Sequence, residues 1–326
     1  MMNNFKYHQP KSLQDASSLM QQHNNNALLF AGGTDALGLI KNNIITPGNL
    51  VNLKLIKGLN EIKYTPGKEI KIGTLVNLVD IAGHSVIREK FTVLAEAANS
   101  ISSPQFRNIA TIGGNLCQRP RCFYFRGDFH CIRKGGDLCY AAACENKYHC
   151  IVGGDPCYII HPSDSAVALL ALDAKFSIYS DKKLKIVSAW DFFILPSIDP
   201  TKENILKPGE ILESIIIPEP DNGSKSKYIK FMEREVFDFA VVSVAAVVKK
   251  SEGKIVKGRV AFGGVAPKPW QIDTLNKSLA GLSTGEESIA AFSKKFFNNA
   301  TPLEKNAYKI PLVRNLLKRI LIDLTV

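Results

Sequence analysis

The chain has 326 residues, of which 45% are hydrophobic and 22% are charged. This length allows two domains, and the composition excludes a disordered tail protein, a collagen-like fibre and a coiled coil. The 41 basic and 30 acidic residues give a net charge of +11, which favours anionic ligands or acidic partners without by itself indicating nucleic acid. The longest apolar runs, about nine residues, fall short of the roughly 20 that a membrane span requires, and we expect no signal peptide.

The N-terminal part predicts short helices alternating with short strands. A helix is predicted over 13–23, and an apolar strand over 27–30 runs into a Gly-Gly turn before the next helix starts near Asp35. The other elements predicted before the cysteines are strands over 49–55 and 70–72, a helix over 76–98, and a strand over 108–115 that ends in a second Gly-Gly pair.

The second half of the chain carries clearer patterns. A helix over 166–174 precedes a strand over 175–180, and the Pro-rich, polar residues 217–226 mark the expected domain boundary. Residues 239–264 predict strands or a strand–helix mixture. The last segment predicts an amphipathic helix, because four apolar residues follow one another at four-residue spacing, namely Leu312, Leu316, Ile320 and Leu324.

Two Gly-Gly turns give the first indication of a ligand. Residues 31–35 (AGGTD) lie between a strand and a helix, and residues 111–115 (TIGGN) repeat the design, each with a Thr hydroxyl. Glycine lets the backbone approach a ligand closely, and amide groups at a helix start favour an anion such as pyrophosphate. Neither turn has the G-x-G-x-x-G or P-loop pattern, so an ordinary tight turn stays an open alternative.

Seven cysteines, an odd number, all lie within residues 117–157. They contain no C-x2-C pair, which argues against common zinc folds, and clustered thiols without a visible export signal favour a soft metal over disulfides. A [4Fe–4S] cluster is the preferred interpretation, with structural zinc and metal-free reduced thiols as open alternatives. Five basic residues of this segment are expected to offset the charge of such a cluster: Arg119, Arg121, Arg126, Arg133 and Lys134.

A search for catalytic residues finds none. The six histidines contain no pair at the i, i+4 spacing of a helical metal site, and there is no G-x-S-x-G elbow. His130 and His149 lie among the cysteines, either as surface residues or as neighbours of a cluster. Asp164 fits a helix N-cap and Lys230 a solvated strand face, unless a ligand meets them. The empty search is typical of a chain whose chemistry belongs to bound cofactors.

Five motifs together resemble a known family. In chain order they are AGGTD at 31–35, TIGGNL at 111–116, HPSD at 161–164, KFMEREVFDFAVVSVAA from Lys230, and FGGVAPKPW at 262–270. They resemble the FAD-binding subunit of the molybdenum hydroxylases, the xanthine dehydrogenase and carbon monoxide dehydrogenase flavoprotein family. The resemblance implies an α+β fold, with a two-subdomain PCMH-type FAD-binding domain over 1–220 and a smaller α+β C-terminal domain of the CO dehydrogenase flavoprotein type over 225–326.

The cysteine-bearing segment 117–157 is an insertion relative to most members of that family. It is similar to a loop in two branches, the bacterial periplasmic aldehyde oxidoreductase and the 4-hydroxybenzoyl-CoA reductase, which carry a [4Fe–4S] cluster there. The resemblance assigns the cluster ligands to Cys122, Cys131, Cys139 and Cys157. Cys117, Cys144 and Cys150 are extra, and either Cys144 or Cys150 stays an alternative for the third or fourth ligand.

The same resemblance implies which residues bind FAD. Residues 30–37 wrap the pyrophosphate, the second turn lies on the flavin side, and Ile101, Asp164 and Lys230 match cofactor-contacting positions. The expected FAD contacts are Phe30, Ala31, Gly32, Gly33, Thr34, Asp35, Leu37, Ile101, Thr111, Gly113, Gly114, Asn115, Asp164 and Lys230. No residue of this chain is expected to be catalytic.

The resemblance further implies the electron-transfer flavoprotein subunit of a three-subunit molybdenum-dependent oxidoreductase of the aldehyde oxidoreductase or xanthine dehydrogenase type. The expected partners are a large molybdopterin-binding subunit, a small [2Fe–2S] subunit and an external electron carrier, without nucleic acid. The alternative is a 4-hydroxybenzoyl-CoA reductase beta subunit, and a distant one is a zinc-stabilised nucleic-acid-binding module using the basic, aromatic residues 119–134. We expect a cytoplasmic location, or a periplasmic one if a partner carries the export signal.

Overall fold

The computed structural model describes residues 3–325, which form three sheets covered by short helices. The strands are β1 (Lys6–His8), β2 (Ala27–Phe30), β3 (Asn49–Asn52), β4 (Ile62–Thr65), β5 (Glu69–Gly73), β6 (Lys175–Ser180), β7 (Lys183–Ser188), β8 (Ile211–Pro218), β9 (Ser224–Phe231), β10 (Val242–Ser251) and β11 (Lys254–Gly263). The α-helices are α1 (Leu13–His23), α2 (Ala36–Lys41), α3 (Leu78–Gly83), α4 (Ser85–Lys90), α5 (Thr92–Asn99), α6 (Pro104–Arg107), α7 (Ile112–Leu116), α8 (Phe123–Arg126), α9 (Asp164–Ala171), α10 (Ala189–Phe192), α11 (Asp273–Leu279), α12 (Glu286–Ser293) and α13 (Lys309–Thr325).

The sheets differ in topology. The first is a small parallel sheet with strand order β1-β3-β2. The second has the order β4-β5-β8-β6-β7 with antiparallel neighbours throughout, and the third is the antiparallel meander β9-β10-β11. This mixture of helix and sheet confirms the expected α+β fold. No helix within residues 3–325 combines the length and the apolar character that a membrane crossing needs.

Helix α9 lies where the N-terminal and C-terminal parts of the chain meet. Ser163 Oγ accepts a hydrogen bond from the Ala166 N–H at 3.0 Å, which starts the helix, and every residue of α9 is buried. Its apolar run packs against α5 on one side and against β10 and β11 on the other. Tyr228, Ala245 and Ala261 of the third sheet therefore join the same apolar core as α9.

The C-terminal helix α13 covers the third sheet. Leu316, Ile320 and Leu324 of the predicted apolar stripe are buried against this sheet, whereas Leu312 is only partly buried. Two further leucines of α13 are buried, Leu317 and Leu321. The apolar face is therefore wider than the four-residue spacing predicts.

The long helix predicted over 76–98 is wrong, because this segment forms α3, α4 and α5. Its start is held by hydrogen bonds to another part of the chain: the Leu78 N–H donates to the Ala110 carbonyl, and the Ile112 N–H donates to the Val76 carbonyl, both at 2.9 Å. Phe91 separates α4 from α5 and is completely buried. Tertiary contacts thus override an apolar pattern that suits a continuous helix.

Candidate functional site

The first glycine turn, residues 31–35, connects the end of β2 to α2. Gly33 has φ +74°, a conformation that L side chains rarely adopt. A Cβ added at Gly32 would collide with the carbonyl oxygen of Ile109. Gly32 is therefore needed for the close packing of the first turn against the chain leading to the second turn.

The second turn, residues 111–115, is not the end of a strand, as predicted, but the beginning of α7. Thr111 Oγ1 accepts a hydrogen bond from the Gly114 N–H at 3.2 Å and caps this helix. The Gly113 N–H donates to the Thr74 carbonyl at 2.9 Å, and a Cβ on Gly113 would collide with the Thr74 hydroxyl. Contacts with the segment before α3 therefore replace the predicted strand pairing.

Both turns line one cavity of about 270 Å³. The residues from the two turns and from the end of β2 are Phe30, Ala31, Gly32, Gly33, Thr34, Asp35, Thr111, Gly113 and Gly114. Apolar side chains such as Leu29, Leu39 and Leu53 complete the wall. Apolar walls with a few converging polar groups are typical of a cofactor site.

A second cavity, of about 230 Å³, continues from the first and shares Thr34, Asp35, Gly114 and Gln118 with it. Its wall also holds four residues that the resemblance singles out, Ile101, Asn115, Asp164 and Lys230. The two cavities, which share lining residues, are together called the turn groove below.

A buried ion pair forms part of the second cavity. Lys230 Nζ lies 2.8 Å from Asp164 Oδ2 and donates to the Ser100 carbonyl at 3.1 Å, while the Tyr228 hydroxyl donates to Asp164 Oδ1 at 2.5 Å. The side chains of Asp164 and Lys230 are only 6% and 3% exposed. Burial raises the pKa of Tyr228, and the Asp164 carboxylate raises it further. Asp164 is therefore not the N-cap of α9, because Ser163 has that place. Lys230 does not lie on a solvated strand face, because its side chain is buried.

All residues expected to contact FAD line the turn groove except Leu37, whose side chain is 37% exposed. The sequence patterns did not indicate Gln118, Arg121, Phe237 or Phe239, which line the second cavity as well. The two phenylalanines belong to the KFMEREVFDF motif, which could have pointed to them. The other two come from the cysteine segment, where no pattern linked them to the glycine turns.

Asp35 joins the first turn to residues 117–157, called the cysteine loop below. Its Oδ1 accepts hydrogen bonds from the guanidinium groups of Arg121 and Arg126, the latter at 2.7 Å, and its Oδ2 accepts the Arg119 N–H at 2.8 Å. Burial opposes ionisation of Asp35, but the two guanidinium charges outweigh it and hold the pKa of this carboxyl below its ordinary value. The Asp35 carboxylate thus links the first glycine turn to the cysteine loop.

Glu203 is a second buried carboxylate beside the cysteine loop. Its Oε1 lies 2.5 Å from Arg133 Nη1 and 3.0 Å from Arg119 Nε. Burial raises the pKa of Glu203, although both guanidinium groups oppose the rise. The loop arginines, which were expected to offset a cluster, are therefore largely paired with carboxylates of the chain itself. The charge of Arg133 also opposes the rise in the pKa of Cys157.

Four thiols of the cysteine loop lie close to one another. Burial raises the pKa of Cys122 to about 11, and the neighbouring Cys157 and Cys131 add to the rise. A hydrogen bond between Cys139 and Cys157 lowers the pKa of Cys139 and raises that of Cys157. The nearby Cys122 opposes the lowering at Cys139. The four cysteines that the resemblance assigns as ligands thus lie near one another, and Cys150, an alternative ligand, also interacts with Cys157.

The three extra cysteines differ in their surroundings, and one of them, Cys150, lies near a proposed ligand, because Cys157 helps to raise its pKa. Cys117 packs against the large apolar core, and burial together with Glu203 raises its pKa to about 12. Cys144 is exposed. Cys150 is buried beside Lys309, and burial raises its pKa although that lysine opposes the rise.

The spacing of the ligand-type side chains argues against a single metal ion. Among residues 3–325, no three His, Cys, Asp or Glu side chains are placed so that they could bind one ion. The ligands of a structural zinc ion must all lie within about 2.3 Å of one atom. A four-iron cluster attaches each thiolate to a different iron atom, so its ligands stand farther apart than those of one ion.

The two histidines of the cysteine loop differ in environment. His130 is exposed, whereas His149 is 3% exposed and its Nε2 lies 3.3 Å from Cys122 Sγ. Burial, together with the charge of Lys309, lowers the pKa of His149 to about 4. Only His149 is thus a neighbour of the four thiols.

Comparison with known proteins matches most of the chain. Residues 3–220 match a family model described as the FAD binding domain in molybdopterin dehydrogenase, and residues 227–324 match the CO dehydrogenase flavoprotein C-terminal domain. The aldehyde oxidoreductase FAD-binding subunit PaoB of Escherichia coli is 36% identical over 94% of this chain and 94% of its own length. The carbon monoxide dehydrogenase medium chain of Afipia carboxidovorans is 26% identical over 87% of this chain and 83% of its own length.

Solved structures share the fold. A chain of the Cu,Mo-CO dehydrogenase in its cyanide-inactivated form has a TM-score of 0.77 at 23% identity, with 100% of this chain and 98% of that chain covered. A chain of the carbon monoxide dehydrogenase from Hydrogenophaga pseudoflava that lacks the Mo-pyranopterin moiety has a TM-score of 0.79 at 24% identity, with the same coverage. At these identities the likeness concerns the fold alone.

Proposed function

This chain belongs to the family of FAD-binding subunits of molybdopterin-dependent dehydrogenases, and we propose that it is the electron-transfer flavoprotein subunit of a three-subunit molybdenum-dependent oxidoreductase. Its relatives are named FAD-binding subunits and medium chains, which supports companions of larger and smaller size. The proposed companions are a large subunit that binds molybdopterin and substrate and a small subunit that holds [2Fe–2S] clusters. The 36% identity to an aldehyde oxidoreductase subunit favours that type of enzyme.

The observation that carries the proposal is the turn groove, which both glycine turns and the Asp164–Lys230 pair line. Two cavities that share lining residues suit a dinucleotide, with the two turns at the pyrophosphate and Ile101 beside the flavin. FAD bound here would supply reversible electron transfer. The chain's own contribution is to hold the cofactor: Asp164 fixes the buried Lys230 ammonium at one end, and the packed turns fix the backbone at the other.

We propose that Cys122, Cys131, Cys139 and Cys157 hold a [4Fe–4S] cluster. The mutual contacts of these thiols support it, as do two donors beside them, His149 at Cys122 and Arg133 at Cys157. The cluster would add a one-electron centre next to the flavin. Buried Tyr124 and Phe125 keep water from this part of the loop.

The two proposed cofactor sites are adjacent because one arginine touches both. Arg121 lines the turn groove, pairs with Asp35 and precedes the first proposed ligand in the chain. We propose that the chain passes electrons between the [2Fe–2S] clusters of its partner and an external carrier. The net charge of +11 would favour an acidic carrier or acidic partner surfaces.

The test is a set of serine variants of the purified complex. Single changes at Cys122, Cys131, Cys139 and Cys157 should each lower the iron content, whereas Cys144→Ser, at an exposed thiol, should leave it unchanged. We expect one FAD per chain of the wild type by flavin absorbance, and about four irons in the cysteine loop, measured as the iron that the cysteine variants lose, since the [2Fe–2S] clusters of the partner add iron of their own. Wild-type protein without flavin contradicts the FAD proposal, and wild-type protein that holds zinc instead of iron supports the nucleic-acid-binding alternative.

The direction of electron flow separates the two enzyme types. An aldehyde oxidoreductase or xanthine dehydrogenase delivers electrons to an external acceptor, whereas a 4-hydroxybenzoyl-CoA reductase draws them from a donor such as ferredoxin. Assays of the native complex with aldehydes, purines and aromatic acyl-CoA thioesters distinguish these types. We also propose a cytoplasmic location, which suits seven free thiols, with export alongside a partner subunit as the alternative.

A further inference from the structure

His149 has a position that neither the turn groove nor the apolar core explains. It is 3% exposed, and its Nε2 lies 3.3 Å from Cys122 Sγ. Its Nδ1 is buried and has no hydrogen-bond partner in the described part of the chain. A buried polar ring normally has its polar atoms satisfied, so a ring whose polar contact is a thiol points to a role at that thiol.

We propose that His149 donates a hydrogen bond from Nε2 to the Cys122 thiolate and thereby raises the reduction potential of the cluster held by the four converging cysteines. This inference rests on the proposed function, since it requires the cluster. His149 binds no iron in this scheme and acts through its neighbour, so it is a positioning and tuning residue.

The direction of the effect follows from the chemistry of the two groups. A thiolate bound to iron has lone pairs only, so the hydrogen must come from the imidazole nitrogen. Reduction adds one electron to the cluster and increases the negative charge on its sulfurs. A donor stabilises the more negative state more strongly, and hydrogen bonds to the sulfurs are among the factors that set such potentials.

The imidazole is held in place by packing and by the C-terminal part of the chain. The Phe123 ring meets it edge-on at 5.7 Å between centroids, and Tyr124 lies on another side at 6.1 Å. Asn306 Nδ2 donates to the His149 carbonyl at 3.1 Å, and Lys309 Nζ donates to the preceding carbonyl at 3.0 Å. A donor fixed from several directions can hold one distance to Cys122 in both oxidation states.

The experiment measures the midpoint potential of the cluster in the assembled complex by EPR-monitored redox titration. His149→Phe keeps the size of the ring and removes the donor, so the reduction equilibrium at fixed potential should shift about tenfold toward the oxidised form, or about 59 mV. His149→Gln, which retains an N–H, should recover part of the shift. His130→Phe, an exposed histidine of the same loop, is the matched control and should leave the potential unchanged.

The outcomes separate the inference from the proposed function. An unchanged potential in His149→Phe at full iron content overturns the inference alone, whereas wild-type protein without iron overturns the proposed function and the inference with it. If His149→Phe loses iron, His149→Leu gives the decision, because it also lacks a donor and is smaller than the phenyl ring. A lowered potential there supports the inference, and an unchanged one overturns it.

Discussion

The turn groove is shaped by backbone, whereas the cysteine loop beside it is shaped by side chains. In the groove, Gly32 and Gly113 allow two turns to touch where any Cβ would collide. In the loop, between short helical turns, arginines, carboxylates and thiols hold one another. Backbone packing keeps the shape of the turn groove without a ligand. The fold of the cysteine loop instead depends on its buried charges, because a buried charge that loses its partner is strongly destabilising.

The two regions meet at a few residues. Asp35 stands at the end of the first turn and pairs with loop arginines, and Arg121 lines the groove while it neighbours Cys122. The C-terminal part holds the loop from the other side through Asn306 and Lys309. Substitutions at these residues therefore distinguish the contribution of backbone packing to the turn groove from the contribution of polar contacts to the cysteine loop.

Gly32→Ala should have the largest effect, because the Ile109 carbonyl belongs to the backbone and cannot turn aside. We expect the free energy of unfolding to fall by about 3 kcal/mol, together with loss of bound FAD. Urea denaturation and flavin absorbance measure both. Gly38→Ala in α2 is the control, since no atom lies within 4 Å of the added Cβ, and it should stabilise by up to about 1 kcal/mol. Equal losses at both positions would remove the role given to turn packing.

Lys309→Met tests the anchoring of the loop by a buried amine that donates to backbone carbonyls. Burial lowers the pKa of Lys309 to about 7, so above pH 7 the unfolded chain binds a proton that the folded chain does not. Stability of the wild type should therefore rise from pH 7 to pH 9, by about 2 kcal/mol relative to Lys309→Met. Lys318→Met, on the same helix and 36% exposed, should keep the wild-type slope. A parallel pH dependence in Lys309→Met would contradict this account.

Asp35→Asn should affect both regions at once. It leaves Arg121 and Arg126 without their counter-charge, and we expect a loss of about 1.5 kcal/mol with a joint fall in flavin and iron. Because the folded pKa of Asp35 is below the ordinary 3.8, the wild-type advantage is complete above about pH 5 and disappears as the pH falls through the folded pKa. Asp221→Asn, at an exposed ion pair, is the control. Loss of iron with full flavin would show that Asp35 serves the loop alone.

Leu37→Ala should have the smallest effect. Leu37 was expected to contact FAD, but it lies outside both cavities and is 37% exposed. We expect a change in FAD affinity below about twofold and a change in stability below about 0.5 kcal/mol, measured by flavin titration and urea denaturation. A tenfold weaker affinity for FAD would show that Leu37 contacts the cofactor.

Regular elements with one dominant pattern were predictable from the sequence. The strand at 27–30, the helix at 13–23 and the C-terminal helix all carry local patterns that agree with their surroundings. The first glycine turn follows a strand as predicted, whereas the second pair begins α7, so the sequence indicated the glycine pairs but not both of their elements. Ile101, Asp164 and Lys230 could be found only through the family resemblance, since nothing local separates them from ordinary structural residues.

Contacts between distant segments could not be predicted in this way. The start of α3 follows hydrogen bonds that hold residues 76–78 to residues 110–112. The link from Asp35 to the cysteine loop spans more than 80 positions, and that from His149 to Asn306 spans 157. Neither leaves a periodic trace in the sequence, because each depends on one polar group finding another across the fold.

The hydrogen bonds from Asn306 to the carbonyls of His149 and Cys150 have a consequence for synthesis on the ribosome. The two ends of the first of these bonds are 157 positions apart, which at 5–20 residues per second means roughly 8 to 30 s between their appearances. During this interval the nascent cysteine loop lacks the contacts that Asn306 and Lys309 give it. Delivery of iron during translation would therefore meet an accessible loop, and completion of the last helix would close it.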